Sequence, residues 1–241
     1  MIRKPFKRSS IFPILILCVA VGMWGYDVFN QGKLGQFFDA PATSQRTKES
    51  DPGRSKTPRS PGKEAIRSGK YEVFEGCMLA SDRGNDGDSF RVKFPDGKAE
   101  VMRLYFVDSP ESAFKEYGRG RTNHQRIGEQ AREMGGITPE QAVEIGKKAK
   151  EFTLAQLGKG PFTVFTEWDS PFHDARYHAF IRLSYEGKSR FLDELLVEKG
   201  FARIHTKGGT MPDGTSQQKQ EGRLMGLEKK ARASRVGAWA F

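Results

Sequence analysis

The chain has 241 residues, enough for one moderate domain with additional segments, and a formal net charge of +10. That balance excludes an acidic surface and points to nucleic acid or an anionic membrane as partner, with a merely lysine-solubilised surface as the alternative. Its two cysteines, Cys18 in an apolar run and Cys77 in a strand-like one, exclude a disulfide framework, and no bridge between them is expected.

In chain order, Arg3, Lys4, Lys7 and Arg8 precede an uncharged stretch from Ile11 to Tyr26. The stretch suits a signal-peptide core and falls just short of a comfortable membrane span. Trp24 and Tyr26 suit an interfacial aromatic belt, and the leading positive charges would stay cytoplasmic. Residues 1–30 are read as an uncleaved membrane anchor in preference to a cleaved signal peptide; either way the rest of the chain is exported. Residues 31–69 scatter Pro41, Pro52, Pro58 and Pro61 among small and charged residues. They carry too little apolar surface to fold alone and read as a flexible basic linker.

The folded domain is expected over residues 70–241. Residues 71–80 read as a strand with Val73, Cys77 and Leu79 on one face. Phe90, Val92 and Phe94 alternate with Arg91 and Lys93 in a second strand over 89–94. Pro95-Asp96-Gly97 turns the chain into a third strand over 99–107. A helix over 123–134 ends at Gly135-Gly136. Thr138, with Pro139 behind it and Gln141 three residues on, caps a longer helix that runs to Leu157 and stops at Gly158. Strands follow over 162–168 and 177–185. A short helix covers 192–199 with Gly200 as its stop, an extended piece covers 201–204, and a basic helix covers 217–234 before Trp239. No internal repeat is present. Five strands with helices inserted late and at the end make an α+β domain built on a small closed Greek-key barrel of the OB type. A barrel of that kind does not by itself imply a function.

Asp86-Gly87-Asp88-Ser89 and the run Arg103-Leu104-Tyr105-Phe106-Val107-Asp108-Ser109-Pro110-Glu111 flank one hairpin. Together with Arg176 they supply carboxylates and guanidiniums that could hold a hard cation, clamp a phosphate and activate a water. Asp-Gly is also an ordinary turn signal, Glu111 after Pro110 also suits a helix start, and either arginine alone could be a structural ion pair. His173 and His178 have no Cys or His partner at metal-ligand spacing and read as loop and barrel residues.

These pieces, with Arg176-Tyr177-His178-Ala179-Phe180-Ile181, the run from Leu192 to Ala202 and the terminal helix ending near Gly237-Ala238-Trp239, occur in the order of a known family. Over residues 70–241 the chain resembles the staphylococcal nuclease (thermonuclease) family. The resemblance implies a calcium ion held by Asp88, Asp108 and the backbone carbonyl of Ser109. It also implies phosphate binding by Arg103 and Arg176, a general base at Glu111, and Asp86 steadying metal-bound water. Another hard cation, such as manganese, would suit the same donors. The implied activity is an endonuclease on DNA and RNA with little sequence preference, leaving 3′-phosphate ends. No protein partner is expected.

The chain departs from the family pattern in several places. Serine replaces threonine at Ser89 and Ser109, which keeps the hydroxyl. Asp174 and Thr206 stand near positions where the reference enzyme carries aromatics, leaving Tyr177 and His205 as the candidate rings to stack on a base. An extra segment around 118–136 carries Arg119, Arg121, His124, Arg126 and Arg132, which offer either a basic wall for a nucleic-acid backbone or a solvated helix face. The alternatives to an enzyme are a non-catalytic nucleic-acid-binding barrel tethered to the cell envelope and, more remotely, an envelope protein whose linker binds anionic lipid.

Overall fold

The computed structural model describes residues 66–171 and 175–241. The anchor, Cys18 and nearly all of the linker lie outside the described residues, as do His173 and Asp174. Among the described residues no helix is long and apolar enough to cross a membrane.

Strands β1 (Arg67–Ser68), β2 (Tyr71–Leu79), β3 (Ser89–Lys93) and β4 (Ala99–Leu104) follow one another. Residues 67 and 68, expected in the linker, pair with Glu72 and Tyr71 across a turn at Gly69. Strands β5 (Val107–Asp108), β6 (Glu116–Tyr117) and β7 (Arg121–Thr122) precede helices α1 (His124–Glu133) and α2 (Pro139–Leu157). Then come β8 (Phe162–Thr166), β9 (Arg176–Tyr185), β10 (Lys188–Phe191), α3 (Leu192–Glu198), β11 (Arg203–Ile204), α4 (Gln217–Ala233) and a 3-10 turn, Gly237–Ala240.

The ring β2-β3-β4-β9-β8 closes on β2 and forms the five-stranded barrel. All its pairs are antiparallel except β4 with β9. Closure requires one strand to serve two neighbours, and β2 does so by bending. Its first half pairs with β8 and its end with β3, with a register shift between Phe74 and Cys77. Gly76 lies in that shift at φ +76°, a conformation that glycine adopts without a Cβ clash. The architecture is the α+β, OB-type barrel expected from the sequence.

The core is aromatic. Tyr105 stacks on Phe180 at 4.7 Å, and Tyr71 meets Phe180 edge-on at 5.5 Å. Both hydroxyls are satisfied, Tyr71 donating to the Thr210 carbonyl at 2.7 Å and Tyr105 to Glu167 at 3.1 Å. His178 is buried beside Tyr105, and burial lowers its pKa, so it is a neutral barrel residue. Cys77 is free and buried, its thiol pushed up to about 12 by burial.

The expected third strand stops early. It ends at Leu104, and Phe106 turns the backbone at φ +67°. The Phe106 N–H donates to the Lys207 carbonyl, and its own carbonyl accepts from His205 N–H, both at 2.9 Å. The chain thus leaves the barrel and joins β11, where Arg203 pairs with Asp108 and Ile204 with Val107. A buried non-glycine residue at positive φ is held there by these long-range bonds, which local pattern does not reveal.

Helix α2 starts as its capping box predicts, with Thr138 accepting from Gln141 N–H and Gln141 accepting from Thr138 N–H. Helix α1 packs Ile127 and Ala131 against Ala142 and Val143 of α2. Met134 packs with Ile145, Ala238 and Trp239. The extra segment is therefore anchored to both α2 and the C-terminal turn.

Candidate active site

The antiparallel register of β3 and β4 sets Ser89 opposite Arg103, and the parallel register of β4 and β9 sets Arg176 opposite Val101. Residues 101 and 103 share a strand face, so Arg103 and Arg176 emerge on adjacent strands, one step apart. The loop before β3 is fixed by Asp86 N–H on the Ser89 carbonyl at 2.7 Å and by Leu104 N–H on the Asp88 carbonyl at 2.9 Å. Gly87 works there by lacking a side chain: a Cβ would stand 2.8 Å from Ser109 Oγ and 2.9 Å from the Ala149 Cβ. Its carbonyl accepts from Thr153 at 2.7 Å. The Asp-Gly-Asp element is thus pressed between the β5 end and α2, which a simple surface turn would not be.

A pocket of about 460 Å³ opens at this end of the barrel, and Asp86, Asp88, Arg103, Ser109, Glu111 and Arg176 line it. Of the residues singled out from sequence, Asp108 lies beneath it, 1 % exposed. Asp88 accepts from Ser109 N–H at 2.7 Å and faces Arg103 at 3.3 Å. Burial, more than any neighbour, pushes the Asp88 pKa up. Asp86 accepts from Gly87 N–H at 2.9 Å, and burial raises its pKa as well.

Glu111 does not begin a helix; it sits in an irregular turn. Its carboxylate meets Arg126 Nε at 3.1 Å, Asn123 Nδ2 at 3.4 Å and Lys115 Nζ at 3.6 Å. Its backbone N–H donates to Gln130 Oε1 at 3.1 Å. Helix α2 lies close beneath: a Cβ at Gly146 would come within 2.4 Å of the Glu111 carbonyl oxygen.

Asp108 is the centre of a cluster that sequence reasoning missed. Its Oδ1 accepts from Arg103 Nη2 and Arg126 Nη2, each at 2.7 Å. Its Oδ2 accepts from Arg203 Nε and from Gln130 Nε2, both at 2.9 Å. Gln130 Nε2 also donates to the Ser109 carbonyl at 3.1 Å. Burial alone would raise the Asp108 pKa; the guanidiniums of Arg126, Arg103 and Arg203 outweigh it and hold the carboxyl down. Arg203 was readable only as a basic residue in a short extended piece, and its role follows from the β5–β11 register. Arg126 and Gln130 lie four apart on α1 and so share a face, but nothing local says which neighbour that face meets. The extra segment is therefore more than a basic wall. Arg119, Arg121 and Arg132 are exposed, whereas Arg126 turns into the pocket.

The expected stacking rings are not brought to the pocket. Tyr177 packs on Trp168 at 5.3 Å, and His205 pairs with Glu133 at 3.3 Å. Thr206 donates to the Leu104 carbonyl at 3.3 Å. The aromatic that does line the pocket is Tyr117, 47 % exposed on β6.

A hard cation binds through oxygen lone pairs. Both Asp108 oxygens already accept two or more donors, and the Ser109 carbonyl accepts from Gln130. In this arrangement Asp108, of the groups implied as calcium ligands, has no oxygen left for the ion.

A sequence model of the family described as Staphylococcal nuclease homologue matches residues 101–241. No curated protein matches the chain.

Proposed function

Since the chain belongs to the staphylococcal nuclease family, we propose that it is a nuclease hydrolysing DNA and RNA phosphodiesters with little sequence preference. The observation that carries this reading is the single pocket shared by Arg103, Arg176, Glu111 and the acids Asp86 and Asp88. Guanidiniums fork onto two phosphate oxygens and remain charged at any relevant pH. Arg103 and Arg176, on adjacent strands, clamp the scissile phosphate and stabilise the charge that grows in the transition state. Glu111 accepts the proton of a water whose oxygen bonds to phosphorus. The bond from phosphorus to the 5′-oxygen breaks, that oxygen takes a proton from solvent, and a 3′-phosphate end remains.

The family generally depends on calcium, which would neutralise and position the phosphate at Asp88, Asp108 and the Ser109 carbonyl. Because Asp108 is fully occupied as it stands, each step above is assigned to the chain's own residues.

The test is degradation of denatured DNA by the full-length chain, measured with calcium and with a chelator, beside the variants Glu111→Gln, Arg103→Ala and Arg176→Ala. Each variant is expected to lose about 100-fold or more in cleavage. Unchanged cleavage in all three would overturn the assignment. DNA binding without cleavage in the folded protein under every condition would favour a non-catalytic binding barrel. The basic residues ahead of the apolar run 11–26 support an exported, membrane-anchored domain. Protease access to the domain in intact cells tests that location.

A further inference from the structure

The nuclease reading assigns no role to the segment between Glu111 and α2, yet that segment supplies a cation bonded to two of the acids. Arg126 spans them, with Nη2 on Asp108 at 2.7 Å and Nε on Glu111 at 3.1 Å. Its side chain is 45 % exposed and lines the pocket. A guanidinium carries more N–H donors than these two bonds use, and the remainder can meet a phosphate oxygen. Four residues on, Gln130 is fully buried and ties the Asp108 side chain, the Ser109 carbonyl and the Glu111 N–H together. Ile127 and Ala131, on the neighbouring face, seat the helix on α2.

Arg103, Arg126 and Arg203 bring three positive charges to four carboxylates, Asp88, Asp108, Glu111 and Glu133. Both oxygens of Asp108 are already occupied by these guanidiniums and by Gln130. A divalent cation binding Asp108 would have to displace at least one charge-assisted hydrogen bond.

Resting on the nuclease reading, we propose that Arg126 stands in for the divalent cation, so that the scissile phosphate is neutralised by Arg103, Arg176 and Arg126 and cleavage proceeds without a metal ion. A monovalent guanidinium fixed between Asp108 and Glu111 performs the two tasks a cation would have: it neutralises a non-bridging phosphate oxygen and holds that oxygen beside the proton acceptor. Arg126 is thus a phosphate-binding residue, and Gln130 is a positioning residue acting through Asp108 and Glu111. The covalent steps are those already given, with the water proton on Glu111 and no additional reactant.

The test uses the full-length chain and two readouts. In the first, cleavage of denatured DNA is followed in excess chelator and in calcium. The wild type is expected to cleave equally in both. Arg126→Gln is expected to fall about 100-fold in chelator and to recover in part with calcium. Arg126→Lys, which keeps the charge but cannot bridge both acids, is expected to fall between them. In the second readout, calcium is titrated by calorimetry, and Arg126→Gln is expected to bind it at least about 10-fold more tightly than the wild type, as loss of a repelling charge requires. Wild-type cleavage abolished by chelator and restored by calcium would overturn the proposal. Wild-type calcium affinity equal to that of Arg126→Gln would overturn it too, whether or not the chain cleaves DNA. Failure of the nuclease reading shows separately, as a folded protein that cleaves under no condition.

Discussion

The barrel and the added hairpin and helix bury different things. The barrel is held by rings: Phe180 touches Tyr71, Tyr105, Phe106 and Phe191 within about one contact shell. The added segment has a small apolar seam, Ile127 and Ala131 on Ala142 and Val143, and a polar face built on Gln130, Arg126 and Asn123. The rings can repack around a volume change at some cost, because dispersion and burial are not directional. The polar face cannot, because each hydrogen bond on Asp108 and Glu111 has one geometry. Stability therefore resides mainly in the barrel, while the added segment fixes the positions of Asp108 and Glu111.

Truncating the ring cluster should show the largest stability effect. Phe180→Ala is expected to cost about 3–5 kcal/mol, read as a lowered denaturation midpoint with an unchanged slope. A cost below about 1 kcal/mol would mean that the rings are not the main source of stability.

Gln130→Leu sharpens the comparison from the other side. It removes the bonds to Asp108, Ser109 and Glu111 while keeping an apolar side chain of similar size. The expected loss is about 2 kcal/mol in stability and about 10-fold or more in the turnover number for DNA, with the Michaelis constant less affected. Unchanged turnover would reduce α1 to a cover.

Asp193, at the start of α3, isolates a purely electrostatic contribution in the core. It is 1 % exposed, and its carboxyl is pushed up to about 7, by burial first and by Glu194 second. An acid whose folded pKa exceeds its unfolded one binds its proton more tightly when folded. Its contribution to stability is thus greatest below about pH 4 and is lost as pH rises through about 7. Asp193→Asn removes that slope. The variant should gain on the order of 2 kcal/mol relative to the wild type at pH 8, and progressively less toward pH 4. A gain that does not change with pH would assign the effect to packing.

Much of the fold could be read locally. Thr138, Pro139 and Gln141 announced α2 by side-chain to backbone bonds within one turn. Phe90 and Val92, both fully buried, announced β3 by alternation. Asp86, Asp88, Arg103 and Glu111 stood out because they flank one hairpin, and Arg176 because it lies in a later strand-like run; the pocket brings them together. The early end of β4 was hidden, since Phe106 reads as a strand residue and only its bonds to Lys207 and His205 force the left-handed turn. Arg203, Arg126 and Gln130 were hidden for the same reason.

The sequence by itself determined the order of the barrel strands and the larger helices, the cap of α2, and the set of acids and arginines that the pocket gathers. These depend on interactions within a few residues, whose physics is nearly independent of the rest of the chain. Tertiary structure alone decided that Asp108 would be ringed by guanidiniums. Its partners Arg126 and Arg203 lie 18 and 95 residues away. They reach it only after the barrel closes, β5 pairs with β11, and α1 lies down on α2.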